Sequence, residues 1–80
     1  MITLTAILFA VRKNAVLPRV IGKKIRKRRL SLDLTQEELA EKVGISRAYM
    51  GFIEQSRNVP SLETLEKIAR VLKVKVAELV

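Results

Sequence analysis

Residues 35–55 read TQEELAEKVGISRAYMGFIEQ, and the spacing within this stretch decides the fold. Thr35 offers an N-cap oxygen, and Glu38 stands three residues on, the capping-box spacing that satisfies amides a helix start leaves open. Leu39, Ala40 and Val43 then fall on one face of a helix expected over about Gln36–Val43. Gly44 follows at once, where a residue free to take the left-handed conformation ends the helix. Ser46 caps a second run, about Arg47–Gln55, whose apolar positions Met50 and Ile53 are again one turn apart. Two such helices joined by a turn of about three or four residues make a helix-turn-helix.

Outward from this unit the same periodicity continues. Helix 1 is expected from about Arg19, after a break at Pro18, to Leu32. Its inward stripe is Ile21, Ile25 and Leu32, and Gly22 allows close packing. A loop over Ser56–Pro60 leads to Ser61, the expected cap of helix 4, where Leu62, Leu65, Ile68, Ala69 and Leu72 form the cleanest amphipathic stripe in the chain. A short last helix over about Val76–Val80 is the least supported, since Lys75 is a poor cap. The expected fold is all-α, a compact bundle of about five short helices in one domain over residues 20–80.

Residues 1–19 stand apart as an N-terminal apolar extension. Met1–Val11 carries no charge and is too short for a bilayer, which takes ~20 apolar residues. Its basic residues follow the apolar run rather than precede it, unlike a signal peptide. Both periods fit it: Ile2, Leu4, Ala6 and Leu8 alternate as in a strand, and Leu4, Leu8, Val11 and Ala15 make a helical stripe. Packing on the domain or a partner subunit is the favoured reading, ahead of a frayed leader or a membrane contact.

The formal charge is +8, and its distribution says more than its total. Residues 1–32 hold nine Lys or Arg and no acid, whereas residues 33–80 hold seven against eight acids. A basic N-terminal third, concentrated in Lys23–Arg29, fits a polyanionic partner. Cysteine and histidine are absent, which removes thiolate sites, disulfides, the commonest metal ligand and the usual proton shuttle. Glu37, Glu38, Glu41, Glu63 and Glu66 sit at helical spacing beside Lys and Arg as exposed pairing positions, not as a converging carboxylate pair. The glycines are isolated and form no phosphate cradle. An enzyme is not expected, and neither a cofactor nor a metal is implied.

At this point residues 21–80 resemble the Cro/C1-type helix-turn-helix domains of phage repressors and related bacterial regulators. The stretches that carry the resemblance are IGKKIRKRR, LTQEELAEKVGIS, FIEQ and PSLETLEKIARVL. The RAYMGFIE stretch is also similar, more thinly, to controller proteins of restriction–modification systems. Asp33, Ser56 and Lys73 depart from the pattern, standing where the family often places glycine, so strain is expected at those helix ends.

The resemblance implies a lambda-repressor-like fold in which helix 3 lies in the DNA major groove, its N-terminal residues nearest the base edges. Helix 2 would aim its N-terminus at a phosphate. Arg47 is then the leading candidate for base readout, because its fork matches guanine O6 and N7, with a phosphate contact as the alternative. Ala48, Gly51 and Phe52 are the other candidate base contacts. Gly51 is costly in a helix interior, and a close approach of another backbone, DNA or helix, would account for it. Gln36, Ser46, Tyr49, Arg57, Asn58 and Arg28 are the candidate phosphate contacts. Gln36 alternatively bridges to Arg47, Ser46 serves also as a cap, and Tyr49 alternatively packs on helix 2. Arg29 and Glu54 are expected to pair in the interior as a structural ion pair.

The function so implied is sequence-specific binding of double-stranded DNA by a dimeric transcriptional regulator on a palindromic operator, in the cytoplasm at the nucleoid. The expected homodimer contacts are Val74, Val76, Leu79 and Val80, with residues 1–11 as a candidate addition. The alternative is a protein-interaction module, such as the antitoxin of a toxin–antitoxin pair. A membrane partner is the third and weakest reading.

Overall fold

The structure, a computed structural model, describes Val16–Val80. The expectations for residues 1–15, including their strand or helical stripe and any dimer contact, lie outside the described residues. Among the described residues there are four α-helices and no strand: α1 Val16–Ser31, α2 Gln36–Val43, α3 Arg47–Glu54 and α4 Leu62–Leu72. A 3-10 turn over Val76–Glu78 closes the chain.

Local chemistry accounts for the helix starts. Thr35 Oγ1 accepts from the Glu38 amide at 3.0 Å, while Glu38 Oε1 accepts from the Thr35 amide at 3.0 Å, a complete capping box. Ser46 Oγ accepts from the Tyr49 amide at 3.0 Å, and Ser61 Oγ from the Thr64 amide at 3.2 Å. Pro18 differs from its expected role as a break. It sits inside the first turn of α1, where an amide hydrogen would have no helical partner in any case.

The four helix ends share one closure. Past each helix an amide reaches back five residues, from Leu34 to the Arg29 carbonyl, Ile45 to Ala40, Arg57 to Phe52 and Val74 to Ala69, at 2.8–3.1 Å. This is the six-to-one bond of the Schellman motif, and it needs a left-handed residue just before the donor. That residue is glycine only at Gly44, with φ of 87°. Asp33, Ser56 and Lys73 adopt φ of 57°, 64° and 59°, and each pays about 1–2 kcal/mol for a conformation that crowds its Cβ.

The core is built from one face of every helix. Ile21 and Ile25 of α1, Leu39, Ala40 and Val43 of α2, Met50 and Ile53 of α3, and Leu65, Ile68, Ala69 and Leu72 of α4 are buried together. Leu62, at the head of the α4 stripe, is instead 66% exposed. The expected fifth helix is the 3-10 turn, whose start is held by the Lys75 amide donating to the Glu78 carboxylate. It drops Leu79 into the core at 1% exposure. Leu79 is therefore spent inside its own subunit and is not available as a dimer contact. Val74, Val76 and Val80 remain half-buried.

Gly22 fixes how α1 meets α3. A Cβ there would lie 2.6 Å from the Ile53 carbonyl oxygen and 2.9 Å from that of Glu54. Only glycine lets α1 lie this close to the end of α3.

Candidate nucleic-acid interface

α3 has one face in the core and one outside. Met50 and Ile53 are fully buried, while Arg47, Ala48, Phe52 and Gln55 are exposed. The exposed set follows the one-turn rule from Ala48: positions 48, 52 and 55 fall on one stripe, with Arg47 beside its start. This row and Gln36 of α2 enclose a hollow of about 280 Å³, floored by Gly51. A larger groove of about 700 Å³ adjoins it, and Gln36 and Arg47 line both. Leu30, Asp33, Thr35 and Glu37 form its far wall.

Below this surface lies the ion pair. Arg29 Nε donates to Glu54 Oε2 at 2.7 Å and Arg29 Nη2 to Oε1 at 2.9 Å, a bidentate pair with both residues 7% exposed. Arg29 Nη1 also donates to the Leu34 carbonyl at 2.7 Å. Gln36 Nε2 donates to Glu54 Oε1 at 3.2 Å, so its bridge runs to Glu54 and not to Arg47. The network ties the start of α2 and the end of α3 to α1 and uses the planar fork that suits a guanidinium and a carboxylate. The capping box serves the Thr35 and Glu38 amides; those of Gln36 and Glu37 remain the donors a helix start leaves open.

The other candidate residues divide plainly. Ser46, Arg57 and Asn58 are exposed, and Ser46 is already engaged as the α3 cap. Tyr49 is half-buried with its ring against the core rather than fully outward. Gly51 is covered in the folded chain, yet a Cβ at this position would meet only Gln36 Oε1, at 3.7 Å. Among the described residues no helix presses on it, so none of them supplies the close helix approach expected for that glycine. Arg28 does not join the cluster. Its Nε donates to the Leu72 carbonyl at 2.9 Å and so caps the end of α4, a favourable place for a cation at the negative end of a helix. Two residues the sequence reading passed over line the surface, Leu30 and Gln55. Gln55 was accessible to the same one-turn rule from Ala48; Leu30, outside the inward stripe of helix 1, carried no signal.

Among the described residues, no cluster of acidic side chains is placed to hold a metal ion, and no helix is long and apolar enough to cross a membrane.

An all-α domain that buries one face of α3 and presents the other beside the start of α2 is of the helix-turn-helix DNA-binding class. The helix-turn-helix family model matches residues 25–79, and the chain belongs to that family, of the Cro/C1 type. It is similar to the immunity repressor protein of Bacillus phage phi105, 43% identical over 60 residues, which are 75% of this chain and 42% of the repressor. The chain thus spans less than half of that relative. Among solved structures, the restriction–modification controller protein C.AhdI from Aeromonas hydrophila aligns with a TM-score of 0.76 at 32% identity, over 79% of this chain and 96% of that one. The biofilm regulator SinR, solved in complex with DNA, aligns with a TM-score of 0.71 at 38% identity, over 74% and 95%. These relatives are regulators by name, and none is an enzyme.

Proposed function

We propose that this chain is a transcriptional regulator that binds double-stranded DNA sequence-specifically, as a dimer on a palindromic operator. The observation that carries the reading is the exposed row Arg47, Ala48, Phe52 and Gln55 on a helix whose opposite face is core. Arg47 is the base reader, its guanidinium free of any salt bridge among the described residues. Ala48 and Phe52 offer apolar contact to a thymine methyl. The hollow over Gly51 admits what a side chain would exclude.

Phosphate contacts come from the start of α2, through Gln36 and its open amides, and from Ser46, Tyr49, Arg57 and Asn58. Such contacts set register and orientation. A single reading helix spans only a few base pairs, so two copies on a two-fold site are needed for useful selectivity. Val74, Val76 and Val80 are the apolar residues left for that contact. The protein acts in the cytoplasm, at the nucleoid.

Selection from a random duplex library tests the reading. The chain is expected to enrich a half-site, and Arg47→Ala to lose one guanine preference within it, worth about 1–3 kcal/mol. An unenriched pool would overturn sequence-specific binding and favour a protein-interaction module such as an antitoxin.

A further inference from the structure

α1 carries seven cations and no acid: Arg19, Lys23, Lys24, Arg26, Lys27, Arg28 and Arg29. Three have partners. Lys24 donates to the Val80 carbonyl at 3.1 Å, Arg28 to the Leu72 carbonyl and Arg29 to Glu54. Arg19, Lys23, Arg26 and Lys27 are exposed, and the salt bridges among the described residues, Arg29–Glu54 and Lys67–Glu63, include none of them. Like charges one helical turn apart repel, and cations in the first turns oppose the helix dipole. Folding alone repays neither cost.

The partners also orient the helix. Gly22 and Arg29 face α3, through the Ile53 and Glu54 carbonyls and the Glu54 carboxylate. Lys24 and Arg28 face the opposite edge, toward the ends of the chain and of α4. Arg26 lies four residues after Gly22 and three before Arg29, on the α3 edge. Arg19, Lys23, Arg26 and Leu30 follow one another at steps of four, three and four, a single stripe. Leu30 lines the groove that Gln36 and Arg47 share. The stripe therefore runs into the reading face. Lys27, one turn after Lys23, borders the stripe but lines a separate hollow with Lys24, Arg28, Val74 and Glu78.

We infer that Arg19, Lys23 and Arg26 form a second phosphate-binding track, which extends the duplex footprint from the reading face along the outer edge of α1. The inference rests on the DNA-binding reading above and adds contacts that carry no sequence information. A polyanion is the partner that both relieves the repulsion and meets the stripe where it joins the groove.

The test compares salt dependence on a mixed-sequence duplex for the full chain, for Arg19→Gln/Arg26→Gln, and for the charge-matched control Lys27→Gln/Lys75→Gln. Each lost phosphate contact lowers the slope of log K against log salt by about 0.9. The track variant is expected to lose about 1.8 in slope between ~50 and ~200 mM salt, to keep the half-site the wild type enriches, and to melt no lower. The control is expected to keep the wild-type slope. An unchanged slope in the track variant overturns the inference, and so does an equal fall in the control, which reports net charge alone. A pool that stays unenriched while the track variant still loses slope sinks sequence-specific reading and leaves the track standing.

Discussion

Glu54→Ala should unfold this domain rather than redirect it. The Glu54 carboxylate accepts three hydrogen bonds, from Arg29 Nε, Arg29 Nη2 and Gln36 Nε2, at 2.7, 2.9 and 3.2 Å. Its side chain is 1% exposed and that of Arg29 8%. After the substitution Arg29 keeps only the Leu34 carbonyl, and a guanidinium is left in the interior without its counter-charge. Stranding a buried charge costs about 3–5 kcal/mol, set against the roughly 4–12 kcal/mol available to a chain of this length. At about 4–8 °C per kcal/mol for a domain of this size, even the lower figure takes at least about 12 °C from Tm. Thermal and urea melts of Glu54→Ala, and of the cycle Glu54→Leu, Arg29→Met and Arg29→Met/Glu54→Leu, form the assay. The double variant, with both charges gone, should recover much of the loss, since an apolar replacement of a buried pair is often neutral or better. A Glu54→Ala melting point within a few degrees of wild type would refute the reasoning, as would a double variant as unstable as the sum of the singles.

Three further outcomes follow from the same geometry. Lys73→Gly should raise stability by about 0.5–1 kcal/mol in a urea melt, since relief of the left-handed conformation outweighs the added freedom of the unfolded chain; Asp33→Gly should gain less, because Asp tolerates that conformation better. Gly22→Ala and Gly51→Ala should move in opposite directions: the first meets two backbone carbonyls and lowers Tm, the second has room and gains about 1 kcal/mol of helix propensity while weakening duplex binding in a titration. The carboxyl of Glu38 is held below its ordinary value of 4.5 by the Thr35 amide and hydroxyl, so its stabilising effect is complete above pH 4.5 and fades as pH falls through the lowered value. Glu38→Gln keeps an acceptor that does not titrate, and its acid melting curve should be flatter than wild type there.

What could be read without coordinates was whatever side chains state locally. The bounds of α2 and the start of α3 are written in Thr35, Glu38, Gly44 and Ser46, each acting on amides or carbonyls a few residues away. The three strained helix ends were legible in the same way, as non-glycine residues where a left-handed turn was due. Long-range polar contacts were not legible. Nothing in Lys24 or Arg28 tells which carbonyl 56 or 44 residues on lies opposite, so Arg28 read as a phosphate contact when it caps α4. The apolar tail was ambiguous for a related reason. A stretch of a few residues has too little periodicity to say whether its own core or a partner covers it, and Leu79 proved to belong to its own core.

The two helix-interior glycines, Gly22 and Gly51, separate what the fold requires from what it leaves unexplained. Both give up helix propensity of about 1 kcal/mol relative to alanine. At Gly22 the chain itself supplies the reason, since the backbone of α3 occupies the space a methyl would need. At Gly51 no described residue does so, and the space stands open beside Arg47, Ala48 and Phe52. The repelling cations of α1 present a similar asymmetry: on the edge toward the chain end Lys24 and Arg28 are engaged and Lys27 is not, while on the edge continuous with the groove none of Arg19, Lys23 and Arg26 has a partner among the described residues. The features that cost the free domain stability without an internal return among the described residues thus meet at the groove that Leu30, Gln36 and Arg47 line. A local conflict of this kind marks the place where a sequence answers to something besides its own fold. The partner we propose here is a polyanion broad enough to span both α3 and the flank of α1.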